Sequence, residues 1–236
     1  MGDAPAYVPS SLVGDVTGAV VAIDVLRAFT TAAYAFDAGA AEIWLVAGVD
    51  EARSLAEELG GAVLMGEDGG RRPDGFHLSN SPVAASKADL DGRVLVQRTS
   101  AGTQGVVAAR AADRLFASSL VCASATARAV RAAALGAPTY VLTGWMTDRE
   151  DRFGEDDRAA AELIERARCG HPLDVAGTAA FVASTPEAER TLAVGDGHVD
   201  PDDIAYAVDV DRFDFAMEVE RRPRGLCLLR TDPPGR

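Results

Sequence analysis

Histidine and cysteine are scarce in this chain, with three of each in 236 residues, and the scarcity removes whole classes of chemistry. His77, His171 and His198 show no HExxH spacing, which argues against a zinc protease. Cys122, Cys169 and Cys227 are odd in number and far apart, so neither a disulfide framework nor a CxxC metal site is indicated, and a reducing cytoplasm fits best. No uncharged apolar run reaches the roughly 18 residues that a membrane-spanning helix needs. The stretch MGDAPAYVPSS has no basic region followed by an apolar core, and Ala6 breaks the myristoylation pattern, so the expectation is a soluble, untargeted, cytoplasmic protein. Positive charge is also in deficit: 23 Lys and Arg face 36 Asp and Glu, a net charge of -13. That balance argues against a general nucleic-acid binder, and it means that an anionic ligand needs a local Arg or a metal to be held at all. GxxxxGK[ST] and GxSxG are absent, and there is no fixed-period repeat or low-complexity tract.

What is present is the composition of a globular protein, 48% hydrophobic and 25% charged, in a length that permits one large domain or two small lobes. From Gly18 to Gly144 short β-rich runs alternate with Ala-rich amphipathic ones. VVAID leads into a helix to about Ala38, EIWLVA into a helix from about Asp50 to Leu59, and AVLMG into a loop. RVLVQRT precedes a helix from about Gln104, RLFAS a helix near Ala123 to Leu135, and TYVLTG closes the series. This rhythm predicts an α/β fold with a largely parallel or mixed sheet and flanking helices. Asp50 reads as an N-cap and Gly60-Gly61 as a stop. Beyond Gly144 come a charged loop, WMTDREDRFGEDD, helices over DRAAAELIERA and TPEAERTLAVG, and a terminal strand pair around Arg222-Pro223, with TDPPGR frayed. The chain reads as a single domain over residues 1–236, compatible with two apposed lobes hinged near residues 145–157.

Polar clusters punctuate this frame. GAVVAIDVLRAFTTA is an apolar run that delivers Asp24 to a strand end, with Arg27, Thr30 and Thr31 on the turns of the next helix. Glu67-Asp68 precedes GGRRPDGFHLSNSP, TSAGT spans Thr99 to Thr103, and Glu155-Asp156 follows the charged loop. Each has an ordinary reading. Asp24 as a helix cap, a role worth about 1 kcal/mol, is at least as common as a catalytic Asp. Arg27 fits a surface base, Glu67-Asp68 a solvated loop, and TSAGT a strand-to-helix turn capped by Thr103. Glu155-Asp156, beside Arg152 and Arg158, fits a screened charge run.

The functional reading gathers the same parts into a phosphate site, because ligands of open α/β sheets bind outside the carboxyl ends of strands, where the first three clusters lie. Phosphate-monoester hydrolysis requires up to about 20 kcal/mol of transition-state stabilisation. A hard cation on carboxylates, an Arg for the equatorial oxygens and pre-aimed N–H groups can share that demand. Asp24, Glu67, Glu155 and Asp156 are the candidate Mg²⁺ ligands; Arg27 and the Ser100 to Thr103 turn are the candidate anion contacts. Leu26 stands where the haloacid-dehalogenase pattern requires a second Asp. His77 stays eligible as a ligand beside Asn80 and Ser81.

Taken in order, AIDVLRAFTTA, MGEDGGRRPDGFHLSNSP, QRTSAGTQG, CASATA, FGEDDRAAAELI and AVDVDRFDFAMEV resemble the 2-phosphosulfolactate phosphatase family from about residue 18 to about residue 220. The resemblance implies an Mg²⁺-dependent phosphatase of a small anionic phospho-acid on an unusual α/β fold, with no nucleic-acid or membrane partner; a homo-oligomer is compatible with it. Asp24, Arg27, Thr30, Glu67, Asn80, Ser81, Thr99, Ser100, Gly102 and Thr103 fall on the family's polar motifs, and Glu155-Asp156 on its later acidic one. From chemistry, Asp24, Arg27 and Glu67 are assigned to catalysis and Arg27, Thr30, Asn80, Ser81, Thr99, Ser100, Gly102 and Thr103 to phosphate. The departures are Asp68, His77, Ser79 and Ala101. Asp68 replaces a loop Arg, a two-unit charge change that predicts a penalty for doubly acidic substrates unless Arg71 or Arg72 compensates. A non-catalytic or repurposed relative that binds an anionic metabolite is the alternative reading.

Overall fold

The structure is a computed structural model that describes residues 4–145, 154–195 and 197–233. In chain order it contains β1 (Ala6–Pro9), β2 (Ala19–Ile23), α1 (Ala28–Asp37), β3 (Glu42–Val46), α2 (Val49–Glu58), β4 (Val63–Gly66), β5 (Leu78–Ser79), α3 (Pro82–Lys87), β6 (Val94–Arg98), α4 (Gly102–Ala108), β7 (Arg114–Ser118), α5 (Ala123–Ala133), β8 (Thr139–Leu142), α6 (Glu155–Arg168), α7 (Val175–Ala183), α8 (Pro186–Leu192), α9 (Asp203–Ala207), β9 (Ala216–Arg222) and β10 (Gly225–Thr231). The expected β-α alternation is there. Not expected were β1, the two-residue β5, α3 and α7. Most of the candidate hinge, residues 146–153, lies outside the described residues, as does the end of the TDPPGR tail.

The strands form one sheet in the order β1-β8-β2-β7-β9-β10-β3-β6-β4-β5. Parallel pairing joins β1, β8, β2 and β7 on one side and β3, β6, β4 and β5 on the other. The terminal hairpin β9-β10 is inserted between these halves with antiparallel contacts to β7 and β3, so the sheet is mixed. Three successive antiparallel pairings reverse direction, and the two parallel halves run nominally opposite ways. Six neighbour steps separate β2 from β4, and a twist of roughly 20–25° per step accumulates to about 120–150°, undoing most of that reversal. Curling, not a shared parallel edge, is therefore what lets strand ends from both halves meet.

The core follows the curl. Val20, Ala22, Leu115 and Ala117 from the first half and Ile43, Leu45, Val63 and Met65 from the second share one apolar cluster with α1. Their alternate neighbours Val21, Ile23 and Phe116 pack outward against α5 and α6, while Trp44, Val46, Leu64 and Val96 pack outward with α2. Strands covered on both faces read as unbroken apolar runs, as β2 does. The tail motif DRFDF anchors this arrangement: Phe213 meets Tyr34 edge-on at 4.9 Å and stacks on Phe215 at 5.2 Å. Asp211 accepts from both Ser124 N (2.7 Å) and its hydroxyl (2.5 Å), which caps α5. Helix α2 stops at Gly60 and Gly61, whose φ values of +78° and +92° suit residues without a Cβ. Its N-cap, however, is Gly48; Asp50 lies in the first turn and pairs with Arg53 instead.

Candidate active site

A polar cavity of about 290 Å³ opens where β2, β4, β6 and β8 end. Asp24 follows the last residue of β2, and its Oδ1 accepts from Ala28 N at 2.8 Å, so the capping role is present. Its Oδ2 lies 3.3 Å from the Thr143 hydroxyl at the end of β8. Gly102 completes this pocket: a Cβ there would stand 2.8 Å from Asp24 Oδ2 and 2.6 Å from Ala28 Cβ, which only glycine avoids. Asp157, on the first turn of α6, ties the same two strand ends, with Val25 N donating to Oδ1 at 3.0 Å and Gly144 N to Oδ2 at 2.8 Å. Next to it, Asp156 is buried with an Oδ1 that has no hydrogen-bond partner.

The second half of the sheet contributes Glu67, directly after β4. Its Oε1 accepts from Ser100 N at 2.5 Å, and its Oε2 from Gly70 N at 2.5 Å and the Ser100 hydroxyl at 3.0 Å. Gly66 allows this close approach, since a Cβ at that position would lie 1.9 Å from Arg98 O. Arg98 then staples the strand ends together, donating to Ala47 O (3.1 Å), Glu67 O (2.7 Å) and Asp68 Oδ1 (2.8 Å). Asp68 thus faces Arg98 and solvent, 62% exposed, and neither it nor Arg71 or Arg72 lines the cavity. Asp68 is paired with Arg98 outside the cavity lining, next to Glu67, which lines it.

Arg27 reaches the cavity from the turn before α1. Its Nη1 donates to Asp203 Oδ2 at 2.8 Å and to His198 O at 3.0 Å, and both partners of the ion pair are buried, at 4% and 0% exposure. Asp203 Oδ1 accepts the Ser81 hydroxyl at 2.6 Å. Arg27 is therefore no ordinary surface base.

Of the residues expected at the site, Asp24, Arg27, Glu67, Asn80, Ser100 and Asp156 line the cavity. Asn80 Oδ1 is buried without a partner. Thr30 does not reach it; its hydroxyl donates to Val25 O at 2.7 Å and closes the turn into α1. Ser81 caps α3 by accepting Ala84 N. Thr99 and Thr103 bond each other's backbone N–H at 3.0 and 2.9 Å. The Ser100 to Thr103 turn was expected to aim free donors at phosphate, but Ser100 N is taken by Glu67 and Thr103 N by the Thr99 hydroxyl, which narrows that role to Ala101 and Gly102. Ser100 immobilises Glu67 instead. Glu155 is exposed, in a groove with Arg158, Glu162 and Arg166. At about 100° per residue Glu155 lies roughly 200° round the helix from Asp157, on the side opposite the inward face that Asp156 and Asp157 share. His77 is exposed too, its Nδ1 accepting Leu64 N at 3.0 Å.

Asp157, Thr143, Glu187, Arg190 and Asp203 were missed. Asp157 adjoins a predicted ligand and carries the same signal. Glu187, Arg190 and Asp203 lie in the stretch where the β-α rhythm fades, and their acid-rich surroundings resemble a solvated surface.

The cavity is lined by Asp24, Glu67, Asp156, Asp157 and Glu187 against two guanidiniums, Arg27 and Arg190. Burial, with the Glu67 charge, pushes the Asp24 carboxyl from 3.8 up to about 6. Burial, with Glu187 and Asp24, pushes Asp156 up to about 8, and burial with Asp156 and Asp24 raises Asp157 well above its usual range. A folded state that holds protons more tightly than the unfolded chain is more stable where those protons are on. In metal-free buffer the stabilisation is full below about pH 4. It declines as pH rises through about 6 for Asp24 and about 8 for Asp156, with Asp24 alone worth about 2–3 kcal/mol. Urea unfolding midpoints between pH 4 and 8.5 test this; a stability that rises over that range contradicts it.

Among the described residues, no three acidic, His or Cys side chains stand as a ready-made metal cage. Mg²⁺ does not require one, because it takes one or two carboxylates and keeps waters and substrate oxygens. The oxygen-only donors Asp24, Glu67 and Asp156, one with an orphaned Oδ1, fit such a cation.

Comparison with known proteins identifies the family. A family model described as 2-phosphosulpholactate phosphatase matches residues 6–221. A Bacillus subtilis protein named as a probable 2-phosphosulfolactate phosphatase is 33% identical over 202 residues, 85% of this chain and 86% of its own. One from Thermus thermophilus with the same printed name is 37% identical over 146 residues, 61% of this chain and 59% of its own. One from Synechococcus is 34% identical over 171 residues, 72% of this chain and 65% of its own.

Proposed function

The chain belongs to the 2-phosphosulfolactate phosphatase family, and on that premise we propose that its strand-end cavity hydrolyses a small anionic phosphate monoester with Mg²⁺. The substrate that the relatives' names suggest is 2-phospho-3-sulfolactate, giving 3-sulfolactate and phosphate. The observation that carries the reading is the excess of buried acid around Arg27 in one cavity. Ionised, those carboxylates repel a phosphate dianion and each other; protons relieve the mutual repulsion, but a divalent cation relieves it and attracts the phosphate as well.

Asp24 with either Glu67 or Asp156 would hold the cation, which when bound neutralises charge on the phosphoryl oxygens and acidifies a water. Arg27 presents to the phosphoryl oxygens the donors that Asp203 and His198 leave unused, in an orientation that the buried ion pair fixes. Asn80 can donate from its amide nitrogen to a phosphoryl oxygen, while its unpartnered Oδ1, an acceptor, suits a water or the cation. Glu67 cannot drift, because Ser100 and Gly70 hold both its oxygens. A water oxygen bonds to phosphorus as the ester P–O bond breaks, and the departing alkoxide takes a proton.

The test is phosphate release from a panel of small phospho-acids, with Mg²⁺ and in EDTA. Release at least about 100-fold faster with Mg²⁺ is expected, and Mg²⁺ at pH 8 should restore the stability that the metal-free protein loses there. Equal turnover in EDTA removes the metal assignment. Binding of phospho-acids without turnover under any condition would return the alternative, a relative that binds an anionic metabolite without turning it over.

A further inference from the structure

Arg190 is the second cation of the cavity, on α8, and nothing in the phosphatase reading uses it. It is joined to Glu187, three residues earlier on the same helix, by one bond from Nη2 to Oε1 at 2.9 Å. The pair is mismatched. Arg190 Nε and Glu187 Oε2 are both shielded from solvent with no hydrogen-bond partner, so the fork that could engage an acid with two bonds engages this one with a single bond. A buried donor left unpaired carries a penalty that a correctly placed ligand oxygen removes. The side chain is 30% exposed, which leaves it accessible from the cavity. The turn that follows α8 is seated against the loop after Glu67, where a Cβ at Gly70 would come 3.0 Å from Val194 Cγ2, four residues beyond Arg190. Arg27 has its Nη1 committed to Asp203 and His198; among the described residues Arg190 bonds only Glu187.

The geometry points to Arg190 as the specificity-determining residue that takes a second acidic group of the substrate, a sulfonate or carboxylate, while the phosphoryl group lies at Arg27. The inference rests on the phosphatase reading for its reaction and restricts the substrate class to phosphate monoesters that carry another strong acid. Glu187 keeps the guanidinium aimed into the cavity, and the free donors of Arg190 receive the ligand. A planar fork suits either acid and discriminates against esters that lack one.

Two measurements on wild type, Arg190→Gln and Arg190→Lys separate the outcomes. The first is the ratio of kcat/KM for phosphosulfolactate to that for phenyl phosphate. The second is calorimetric binding of 3-sulfolactate, which has no phosphate, beside binding of inorganic phosphate. Arg190→Gln should cut the kcat/KM ratio and the sulfolactate affinity by about 10–100-fold, the range of a charge-assisted hydrogen-bonded contact. Inorganic phosphate binding should fall by much less. Arg190→Lys, which keeps the charge and loses the fork, should fall between wild type and Gln, and it serves if the Gln variant fails to fold. An unchanged ratio and unchanged sulfolactate binding overturn the proposal, as do equal losses for phosphosulfolactate and phenyl phosphate. If wild type releases phosphate from no ester, the phosphatase reading fails by itself, and the sulfolactate arm still decides the role of Arg190.

Discussion

Asp24→Asn should lower phosphate release by about 1,000-fold, the scale set by removing one charged or donor group from a pre-organised site, and should at the same time make the metal-free protein more stable at pH 8. The two effects have one cause. Asparagine keeps the Oδ1 that accepts Ala28 N and the shape against which Gly102 packs, so the turn into α1 survives. Its amide can donate to the Thr143 hydroxyl, which then accepts. What disappears is a buried negative charge that Glu67 and Asp156 oppose, together with a ligand for the cation. Because the Asp24 carboxyl is pushed up to about 6, the charged form at pH 8 is held against its own burial, and its removal should return about 2–3 kcal/mol. Turnover assays and urea unfolding in EDTA measure both. Unchanged turnover, or a variant less stable than wild type at pH 8, would show that Asp24 is only a helix cap.

Asp203→Asn should destabilise the protein by about 3 kcal/mol, the low end for removing one partner of a buried ion pair. Asp203 has no exposure and holds Arg27 Nη1, the Ser81 hydroxyl and Asp200 N through its two oxygens. The amide can keep one oxygen contact but leaves the Arg27 guanidinium without its counter-ion. The estimate is low because the cavity acids nearby offset part of that charge. The double change Arg27→Met with Asp203→Leu should cost markedly less than the sum of the single changes, since no unpaired charge then remains. Additive costs within about 0.5 kcal/mol would mean the two side chains are not energetically coupled, whatever their distance.

How much of this was legible in the sequence can be argued from the same residues. Asp24 was visible because an apolar run buried on both faces ends where the chain turns polar, although its cap of α1 was as ready a reading of the same acid and is also present. Glu67 and Ser100 were visible for the same reason. Their meeting was foreseen, but for the wrong reason: a parallel edge was expected, whereas the reversal by β9-β10 and the accumulated twist bring them together. Arg27 and Asp203 are 176 positions apart, and no periodicity couples such a pair. Short α3, six residues with Ser81 as cap and Pro82 at its first position, was hidden inside a Gly-rich loop. Helix α7 escaped because VAGTAAFVA is apolar yet almost wholly solvent-facing, with Val182 its one buried residue, so it shows no contrast between faces. Of the Glu155-Asp156 pair only Asp156 lines the cavity, because the turn of α6 that buries Asp156 and Asp157 leaves Glu155 exposed.

The position of β9-β10 sets the order in which the protein can be made. A chain emerging from the ribosome presents both parallel halves, with β7 and β3 each exposing an unpaired edge, well before residues 216–231 exist to join them. Until that hairpin arrives, α1 has no closed trough to lie in, and Asp24 and Glu67 belong to separate half-sheets. Assembly of the cavity is thus a late, long-range event with high contact order, which slows folding and leaves two open strand edges exposed to misassociation with other nascent chains.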